Sequence, residues 1–388
     1  MDKKYCRHCL PTKRTSHFGL HLEYYLDKFA IFDVSFSRPE WFIFFLMLLE
    51  KIGWVKFIEE PERRSIQNRS FIFFEEAKKR NLKIFAVQFF SKYINGFLLE
   101  HEEKKYYYER TPLDLLEKNE KNIDDKIKLK KALLKASCPV APGKKFVNIK
   151  KAFDYGKELG FPVIVKPVDG SLSHHVTTNI MKDEDLLTAL KVAKEYKPAF
   201  MVEKHVYGKL YRATIVGQEK VYVCKKELAN VIGDGELNVE ELIDQKNIVE
   251  NRKINNRTLS KINIDDKLIQ RLKKNNIDLK DILRKGDQVC LSDKFVLSDG
   301  CDVVNVKKEV NNENLSLFLN VGKRLNKQLV GLDFISVDIS KSWKEDESAI
   351  LEANSFPYLD MHQFPSHGEA ENVASDVWDI VLKKISGK

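Results

Sequence analysis

The spacing of apolar residues changes along the chain between a helical period and a strand period. Between residues 129 and 136 apolar side chains recur at i, i+3, i+4 and i+7, which predicts one face of an amphipathic helix. Similar spacing predicts helices at 151–160, from Asp183 onward and around 315–325. Short β-branched runs predict strands at 161–167, 199–206 and 328–339, a further strand within 349–365, and a hairpin at 210–226 that turns at Gly217-Gln218.

The first third of the chain has a different pattern, rich in aromatic residues. A helix is predicted to yield to a strand within 71–90, and two strands around an acidic turn are predicted within 95–112. We interpret this part as a separate α/β domain of unknown role, with substrate capping as a working guess. The predicted domains are 1–115 and 116–388, the second of which divides into subdomains 120–208 and 209–388, with a polar elaboration at 236–290.

The composition indicates a folded globular protein with a weak charge bias. Hydrophobic residues make up 43% and charged residues 32%, which excludes an intrinsically disordered chain. The 66 Lys and Arg against 57 Asp and Glu give a net charge of +9, and the lysines are scattered over predicted helix faces. We therefore expect no nucleic-acid partner.

The longest apolar run, Trp41–Leu49, is about half as long as a bilayer-spanning helix. It begins too far from the N-terminus, and without a basic lead, to resemble a signal peptide. We interpret it as a buried helix and expect no membrane association. Four of the six cysteines stand singly (Cys138, Cys224, Cys290, Cys301), so no disulfide framework is indicated and a cytoplasmic location is expected.

Cys6 and Cys9 are separated by two residues and are followed by His17 and His21. Thiolates and imidazoles are the ligands that Zn²⁺ prefers, so these four side chains could form a tetrahedral site. The spacer between the pairs is shorter than in ordinary zinc fingers, and His8 competes as a ligand. The alternative is that the thiols pack beneath the first helix. A zinc-stabilised nucleic-acid binder is the function this cluster would favour, although no clustered basic face supports it.

Two predicted strands near the C-terminus carry oxygen-bearing side chains. Period-two alternation places Glu352 and Asn354 on the same face of one strand, and Asp333 lies on the preceding strand across a predicted hairpin. Two carboxylates and an amide oxygen are hard ligands, suited to Mg²⁺ that bridges phosphates. Asp338 is the alternative to Asp333, but its offset of five residues points it to the opposite face.

Two lysines lie where their ammonium groups could neutralise a triphosphate. Lys126 is at the start of the first predicted helix of the second domain, and Lys166 ends an apolar strand just before a turn. Either residue alone is typical of a protein surface. Together with a magnesium site they favour nucleotide binding.

Several segments resemble, in order and spacing, the motifs of the ATP-grasp carboxylate–amine ligases: DK at 125–126, VIVKP at 163–167, MVEKHVYGKLYR at 201–212, GLDFISVDI at 331–339 and ILEANSFPYLDMH at 350–362. The segments VTTNI and VIGDGELNVEELI and the polar elaboration resemble the cyanophycin synthetase subgroup in particular, and a similar module ends bifunctional glutathione synthetases. The resemblance covers roughly residues 120–380. It implies an α+β ATP-grasp fold, in which two subdomains grip a nucleotide between antiparallel sheets.

The resemblance also implies roles for individual residues. Lys126 and Lys166 would hold the α- and β-phosphates of ATP, and Glu203 would bind the adenine amino group. The other nucleotide contacts would come from Lys204 and Val206 at the purine hinge, Leu210 near the ribose, and the loop residues Ser171, Ser173, His174 and His175. Asp333, Glu352 and Asn354 would bind two Mg²⁺ ions, and Arg212 with Lys225 or Lys226 would face the carboxylate substrate and its acyl-phosphate.

The implied reaction joins a small-molecule carboxylate to an amine, each an amino acid or a peptide. The carboxylate would attack the γ-phosphate of ATP, and the amine would then displace phosphate from the acyl-phosphate. Homo-oligomerisation is left open.

Departures from the family pattern are found in the phosphate loop and on the substrate side. Ser173 and His175 stand where glycines are expected, so the loop is either loosened or uses its imidazoles as hydrogen-bond donors to phosphate. Leu210 replaces a carboxylate that would bind the ribose, and Ser292 replaces an arginine. These changes favour a repurposed ligase, with a degenerate nucleotide-binding sensor or scaffold as the alternative.

Overall fold

A computed structural model of the chain describes residues 40–116, 123, 125–168, 175–248, 252 and 259–387, without the side chain of Glu40. The predicted zinc ligands Cys6, Cys9, His17 and His21 lie outside the described residues, as do Ser171, Ser173 and His174 of the predicted phosphate loop. Within the described part the chain forms ten α-helices and fifteen β-strands.

The helices are α1 (Glu40–Lys51), α2 (Asn68–Lys79), α3 (Lys126–Lys135), α4 (Ile149–Leu159), α5 (Asp183–Tyr196), α6 (Val239–Ile248), α7 (Asp266–Lys274), α8 (Asn312–Leu325), α9 (Asp360–Gln363) and α10 (Val373–Ile385). The strands are β1 (Val55–Ile58), β2 (Lys83–Phe89), β3 (Lys92–His101), β4 (Lys104–Glu109), β5 (Gly143–Phe146), β6 (Val163–Pro167), β7 (Thr177–Ile180), β8 (Phe200–Lys204), β9 (Lys209–Val216), β10 (Lys220–Glu227), β11 (Asn230–Ile232), β12 (Gln288–Cys290), β13 (Asp302–Asn305), β14 (Leu329–Ser336) and β15 (Ala349–Asn354).

The N-terminal strands β1–β4 form an antiparallel sheet in sequential order. The predicted acidic turn joins β3 to β4 through Glu102 and Glu103, which have φ angles of 47° and 62°. Helix α2 lies between this sheet and the C-terminal helix α10, where the indole Nε1 of Trp378 donates a hydrogen bond of 2.9 Å to the carbonyl oxygen of Phe73. One hydrophobic core therefore crosses the domain boundary predicted near residue 115.

A second antiparallel sheet has the strand order β5-β8-β6-β7 and is covered by α4 and α5. Helix α4 is capped by the side chain of Asn148 and ends at Gly160, which has a φ of 75°. Helix α5 begins at the predicted position, but its N-cap is Lys182, and Asp183 occupies the first turn. The periodicity predicts Leu186, Leu187 and Leu190 on the inner side of this helix; Leu186 and Leu190 are buried in this core, but Leu187 is 38% exposed.

The third sheet is antiparallel, with the order β13-β10-β9-β14-β15. Phe318 and Val321 of α8 pack against one face of this sheet and form one core with Ala213 and Phe334 of its strands. The hairpin β9–β10 turns at Gly217 and Gln218 as predicted, with φ angles of 63° and 62°. The opposite face of this sheet carries the polar residues of the site.

The polar stretch predicted to be an elaboration forms a small unit of its own. Strands β11 and β12 pair, and helices α6 and α7 bury Val239, Ile243 and Leu272 against them. It therefore has a separate hydrophobic core beside the third sheet.

The apolar run predicted to be a buried helix is α1, but only one face of this helix is buried. Leu46 and Leu49 pack on the N-terminal sheet, whereas Trp41 and Phe44 are 59% and 73% exposed. The prediction was wrong in this respect because the sheet covers a single side of the helix. None of the described helices is long and apolar enough to span a bilayer.

Candidate active site

The face of the third sheet opposite α8 gathers charged side chains from three neighbouring strands. Ala213 on β9 and Val223 on β10 point into the core beneath α8. Because successive side chains alternate in direction, Arg212 and Lys226 point to the other face. Asp333 on β14 points to this face as well, directly opposite Arg212 in the strand register.

Asp333 is an almost fully buried carboxylate held by two cations. Its Oδ1 accepts hydrogen bonds of 2.7 Å from both Arg212 Nε and Lys226 Nζ. Burial alone would raise the pKa of Asp333, but the charges of Arg212 and Lys226 overcome this effect and hold the pKa well below its usual value. Burial lowers the pKa of Lys226. The charge of Asp333 raises this pKa, but it offsets the effect of burial only in part. The three groups form one charge-compensated cluster.

Lys225, the alternative to Lys226, lies on the other side of β10. Its ammonium pairs with Glu227 at 2.6 Å. Since neighbouring residues of a strand face opposite ways, Lys225 does not share the face of Asp333.

The strand pairing places Glu352 of β15 opposite Asp333, and Asn354 opposite Gly331. A β-bulge follows, because Phe334 pairs with Ile350 and leaves one extra residue in β15. The bulge allows both Ile350 and Ala353 to enter the core even though they are three residues apart. Glu352 and Asn354 remain on the polar face, as simple alternation predicts.

Asp338 does not take part in this arrangement. It lies in the turn after β14, where its Oδ1 accepts hydrogen bonds from the backbone N and the hydroxyl of Ser340, at 3.0 and 2.7 Å. Asp333 is therefore the aspartate that faces Glu352.

The oxygen donors of Glu352 and Asn354 fit a magnesium ion in their chemistry. The side chain of Glu352 is 35% exposed, and its Oε1 accepts a hydrogen bond of 3.4 Å from Asn354 Nδ2. Asp333 differs from them because Arg212 and Lys226 already compensate its charge. No group of three or more His, Cys, Asp or Glu side chains in the described part of the chain is arranged to hold a metal. Glu352 and Asn354 are therefore the best-fitting members of the predicted set.

Lysines of the first subdomain lie across a cleft from these strands. Helix α3 is capped by Asp125, whose Oδ1 accepts hydrogen bonds from two backbone N–H groups of the first turn. Lys126 and Lys130 are one turn apart on this helix, and the Lys126 ammonium lies 3.9 Å from Glu352 Oε2. The cleft is lined by Lys126, Lys130, Lys166 and Glu203 together with Ile350 and Leu351 of β15.

Glu203 on β8 is a buried carboxylate between two of these lysines. Its Oε2 lies 2.5 Å from the Lys166 ammonium, and its Oε1 contacts Lys130. Burial alone would raise the pKa of Glu203, but Lys166 and Lys130 hold the pKa below its usual value. Lys130 was not predicted from the sequence. Its i+4 spacing from Lys126 on the same helix is the feature that could have identified it.

The chain is similar in sequence to two kinds of curated protein, although no family model matches it. It is 31% identical over 262 residues to cyanophycin synthetase of Trichormus variabilis, which is 66% of this chain and 29% of that protein. It is 27% identical over 264 residues to the glutathione biosynthesis bifunctional protein GshAB of Clostridium perfringens, which is 67% of this chain and 34% of that protein. The chain thus spans about a third of the length of these relatives.

The fold matches a solved structure, that of a bifunctional glutathione synthetase from Pasteurella multocida. The TM-score is 0.63 at 21% identity, over 82% of this chain and 44% of that one. The chain has the ATP-grasp fold. The predicted α+β ATP-grasp fold and the predicted similarity to cyanophycin synthetase and bifunctional glutathione synthetase are both confirmed.

In this ATP-grasp protein His175 is anchored inside the first subdomain. Its Nδ1 forms a hydrogen bond of 2.8 Å with the carbonyl oxygen of Val192, and its ring lies 4.8 Å from that of Tyr196. The backbone of His175 is left-handed, with a φ of 53°, where a glycine was expected. The Nδ1 of His175 is therefore committed to Val192.

The remaining predicted nucleotide residues of the ATP-grasp module lie around the link between β8 and β9. Lys204 donates from Nζ to the carbonyl oxygens of Gly160 and Phe161, both at 3.0 Å, so its ammonium caps the end of α4. Val206 is half-buried in the link, and Leu210 is half-buried on β9 beside Lys226 in the register. The Lys204 side chain therefore supports the hinge.

His362 is a buried residue that sequence reasoning missed. Its Nε2 forms a hydrogen bond of 2.8 Å with Thr214 Oγ1 on the polar face of β9. Burial lowers the pKa of His362 to about 3, so this imidazole is neutral at physiological pH. It fixes the position of α9 above the sheet, and only long-range packing could have revealed it.

Proposed function

We propose that the chain is an ATP-dependent carboxylate–amine ligase that forms an amide through an acyl-phosphate and releases ADP and phosphate. The names of the two relatives support this proposal, since one is a cyanophycin synthetase and the other acts in glutathione biosynthesis. The chain covers only about a third of each relative. The function must therefore also be argued from the site itself.

The nucleotide would bind in the cleft between the two subdomains. Lys126 and Lys166 would hold the α- and β-phosphates, and Lys130 would add a third positive charge against the single charge of Glu203. The resulting net positive charge attracts a polyanion such as a triphosphate. A phosphate that approaches Lys166 competes with Glu203 for the same ammonium, so nucleotide binding would rearrange this ion pair.

Glu352 and Asn354, with Asp333 beside them, would hold two magnesium ions. Bound there, magnesium neutralises the phosphate oxygens and orients the γ-phosphate. The 3.9 Å between the Lys126 ammonium and Glu352 Oε2 supports a site in which both side chains act on one triphosphate.

Arg212 and Lys226 would stabilise the charge that develops during transfer. The substrate carboxylate attacks the γ-phosphorus, and the bond to the bridging oxygen breaks to release ADP. The amine then attacks the acyl carbon, phosphate leaves, and the amine gives up a proton. Because Asp333 already fixes both cations, little reorganisation accompanies either step.

The acid and the amine would be small molecules, each an amino acid or a peptide. We place the reaction in the cytoplasm, where free thiols stay reduced. All four described cysteines are unpaired, which is consistent with such a compartment.

The observation that carries the proposal is the convergence of Arg212, Lys226 and Asp333 on one sheet face that also bears Glu352 and Asn354. The test is to incubate the protein with ATP, Mg²⁺ and a pool of the twenty amino acids and to measure ADP and phosphate. We expect the pool to stimulate ADP release. Release of AMP and pyrophosphate would contradict an acyl-phosphate mechanism.

Nucleotide binding without turnover is the second candidate, and one observation favours it. Arg212 and Lys226 compensate the charge of Asp333, which removes one of the three predicted metal ligands and leaves Asn354 and Glu352, the latter 3.9 Å from Lys126. In that case ATP with Mg²⁺ would raise the melting temperature while no amino acid stimulated ADP release.

A further inference from the structure

The N-terminal domain holds the segment that follows the metal-binding strand. Residues 355–358, here called the Phe356 segment, connect β15 to α9. Arg69 on α2 donates from Nη1 to the carbonyl oxygen of Phe356 at 2.8 Å. Its guanidinium also lies over two rings of the segment, 5.2 Å from the centroid of Phe356 and 4.2 Å from that of Tyr358. The N-terminal domain thus reaches the edge of the site through Arg69, and Arg110 also lies over the ring of Phe356, 5.8 Å from its centroid.

The Phe356 segment lies directly against the catalytic face of the third sheet. A Cβ built on Gly331 would be 2.7 Å from Pro357 Cβ and 2.8 Å from Nη1 of Arg212. Pro357 and Arg212 therefore approach the same point of β14, two residues before Asp333. A continuous path of contacts joins Arg69 to the cation that would stabilise the acyl-phosphate.

Arg69 differs from Arg63 and Arg80 in its charge environment. Arg63 pairs with Glu75 at 3.0 Å, and Arg80 pairs with Asp379 at 2.7 Å. No acidic side chain among the described residues forms an ion pair with Arg69. A guanidinium has five N–H donors, and the carbonyl of Phe356 uses one of its nitrogens. Stacking on two rings holds its plane in a fixed orientation.

We propose that Arg69 binds the carboxylate of the amine substrate, which makes that substrate an amino acid or a peptide with a free carboxyl end. The inference rests on the proposed ligase function. In the proposed reaction, the carboxylate of the acid substrate reacts beside Arg212 and Lys226. Arg69 lies beyond Pro357, so a carboxylate bound there is a group that does not react, such as that of the amine substrate. Arginine binds such a group through two parallel hydrogen bonds.

The test compares an amino acid with its own α-carboxamide. Product mass identifies which member of the amino-acid pool is the amine substrate, and kcat/KM for ADP release is then measured with this amino acid and with its amide. We expect the wild-type protein to prefer the amino acid by about 10- to 100-fold, the range of a hydrogen bond to a charged group. Arg69→Met should remove this preference by lowering kcat/KM for the amino acid much more than kcat/KM for the amide.

The matched control is Arg63→Met, on the same domain. Arg63 also lies over an aromatic ring, 4.6 Å from the centroid of Phe71, but it does not touch the Phe356 segment. It should keep the wild-type preference, and melting temperatures should show both variants folded. Equal losses with the amino acid and its amide would mean that Arg69 only positions the Phe356 segment, which overturns the inference. Wild-type protein that no amino acid stimulates would contradict the ligase function itself.

Discussion

Lys166 on β6 and Glu203 on the adjacent strand β8 form an ion pair of 2.5 Å in the cleft where we propose that the nucleotide binds. Lys130 contacts the other oxygen of the same carboxylate. Glu203 therefore holds two ammonium groups where phosphates are proposed to bind. Burial lowers the pKa of Lys130, and the charge of Glu203 offsets this effect in part.

The first prediction concerns Lys130, which the family motifs did not suggest. Lys130→Met leaves Glu203 with a single cation, so Glu203 competes more strongly with phosphate for Lys166. We expect the Kd of Mg-ATP to rise about tenfold, as for the loss of one charge-assisted contact. Titration calorimetry measures this change. Lys131→Met, which removes an exposed lysine of the same helix, is the control and should leave the Kd unchanged; equal affinities in the two variants would refute the role of Lys130.

The second prediction separates two adjacent lysines of β10. Lys226 donates to Asp333 on the polar face, whereas Lys225 pairs with Glu227 on the other side. Lys226→Met should lower amino-acid-stimulated ADP release about 100- to 1000-fold, the range found when one donor to a developing charge is removed. Lys225→Met should change the rate by less than about twofold, as is usual for a residue that does not touch the reacting atoms. A larger loss of rate in Lys225→Met than in Lys226→Met would show that Lys225, and not Lys226, lies on the polar face.

The third prediction concerns stability. Asp333→Asn leaves Arg212 and Lys226 as buried cations without a counter-charge. We expect the free energy of unfolding at pH 7 to fall by about 3–5 kcal/mol, the cost of removing one partner of a buried ion pair. Urea denaturation measures it, and Asp338→Asn, in the turn after β14, is the control. A loss no greater than that of the control would mean that the cluster contributes no stability.

The pH dependence of Asp333 follows from the direction of its pKa shift. The folded-state pKa lies below the unfolded value because Arg212 and Lys226 outweigh burial. The unfolded chain therefore binds the proton first, and the stabilisation is complete above the unfolded pKa of about 3.9. It is lost as the pH falls through the folded pKa. Wild-type protein should lose more stability than Asp333→Asn when the pH is lowered from 5 towards 2.

Local patterns were sufficient to predict most of the elements and the polar face. Alternation on β9 and β10 and the turn at Gly217-Gln218 depend only on neighbouring residues, so they could be predicted from the sequence. The bulge in β15 could not, because it arises from the pairing with β14 and from the need to bury both Ile350 and Ala353.

Long-range packing accounts for the other differences. Trp378 packs in one core with Phe73, about 300 residues away, and no local pattern encodes that contact. The exposed face of α1 could not be predicted either, because hydrophobic periodicity does not reveal how much of a helix its neighbours cover. The role of His175 was similarly hidden, since its partner Val192 lies on a helix beyond the next strand.

The last prediction concerns the metal dependence of the reaction. Glu352 is the accessible carboxylate of the polar face, whereas Asp333 is compensated by two cations and Asp338 lies in a turn. Glu352→Gln should therefore raise the Mg²⁺ concentration for half-maximal ADP release by about 10- to 100-fold, as one negative oxygen ligand is lost. Because the glutamine also removes a counter-charge from Lys126, ATP should bind in EDTA at least as tightly as it binds to the wild-type protein.

If Glu352 is a metal ligand, its loss raises the Mg²⁺ requirement and does not weaken ATP binding in EDTA. If Glu352 merely supports Lys126, its loss has the opposite pattern. Glu347→Gln, an exposed change just before β15, is the control for the loss of one negative charge. It should leave both readouts unchanged. A weaker affinity for ATP without Mg²⁺, together with an unchanged Mg²⁺ requirement, would show that Glu352 orients Lys126 and does not bind the metal.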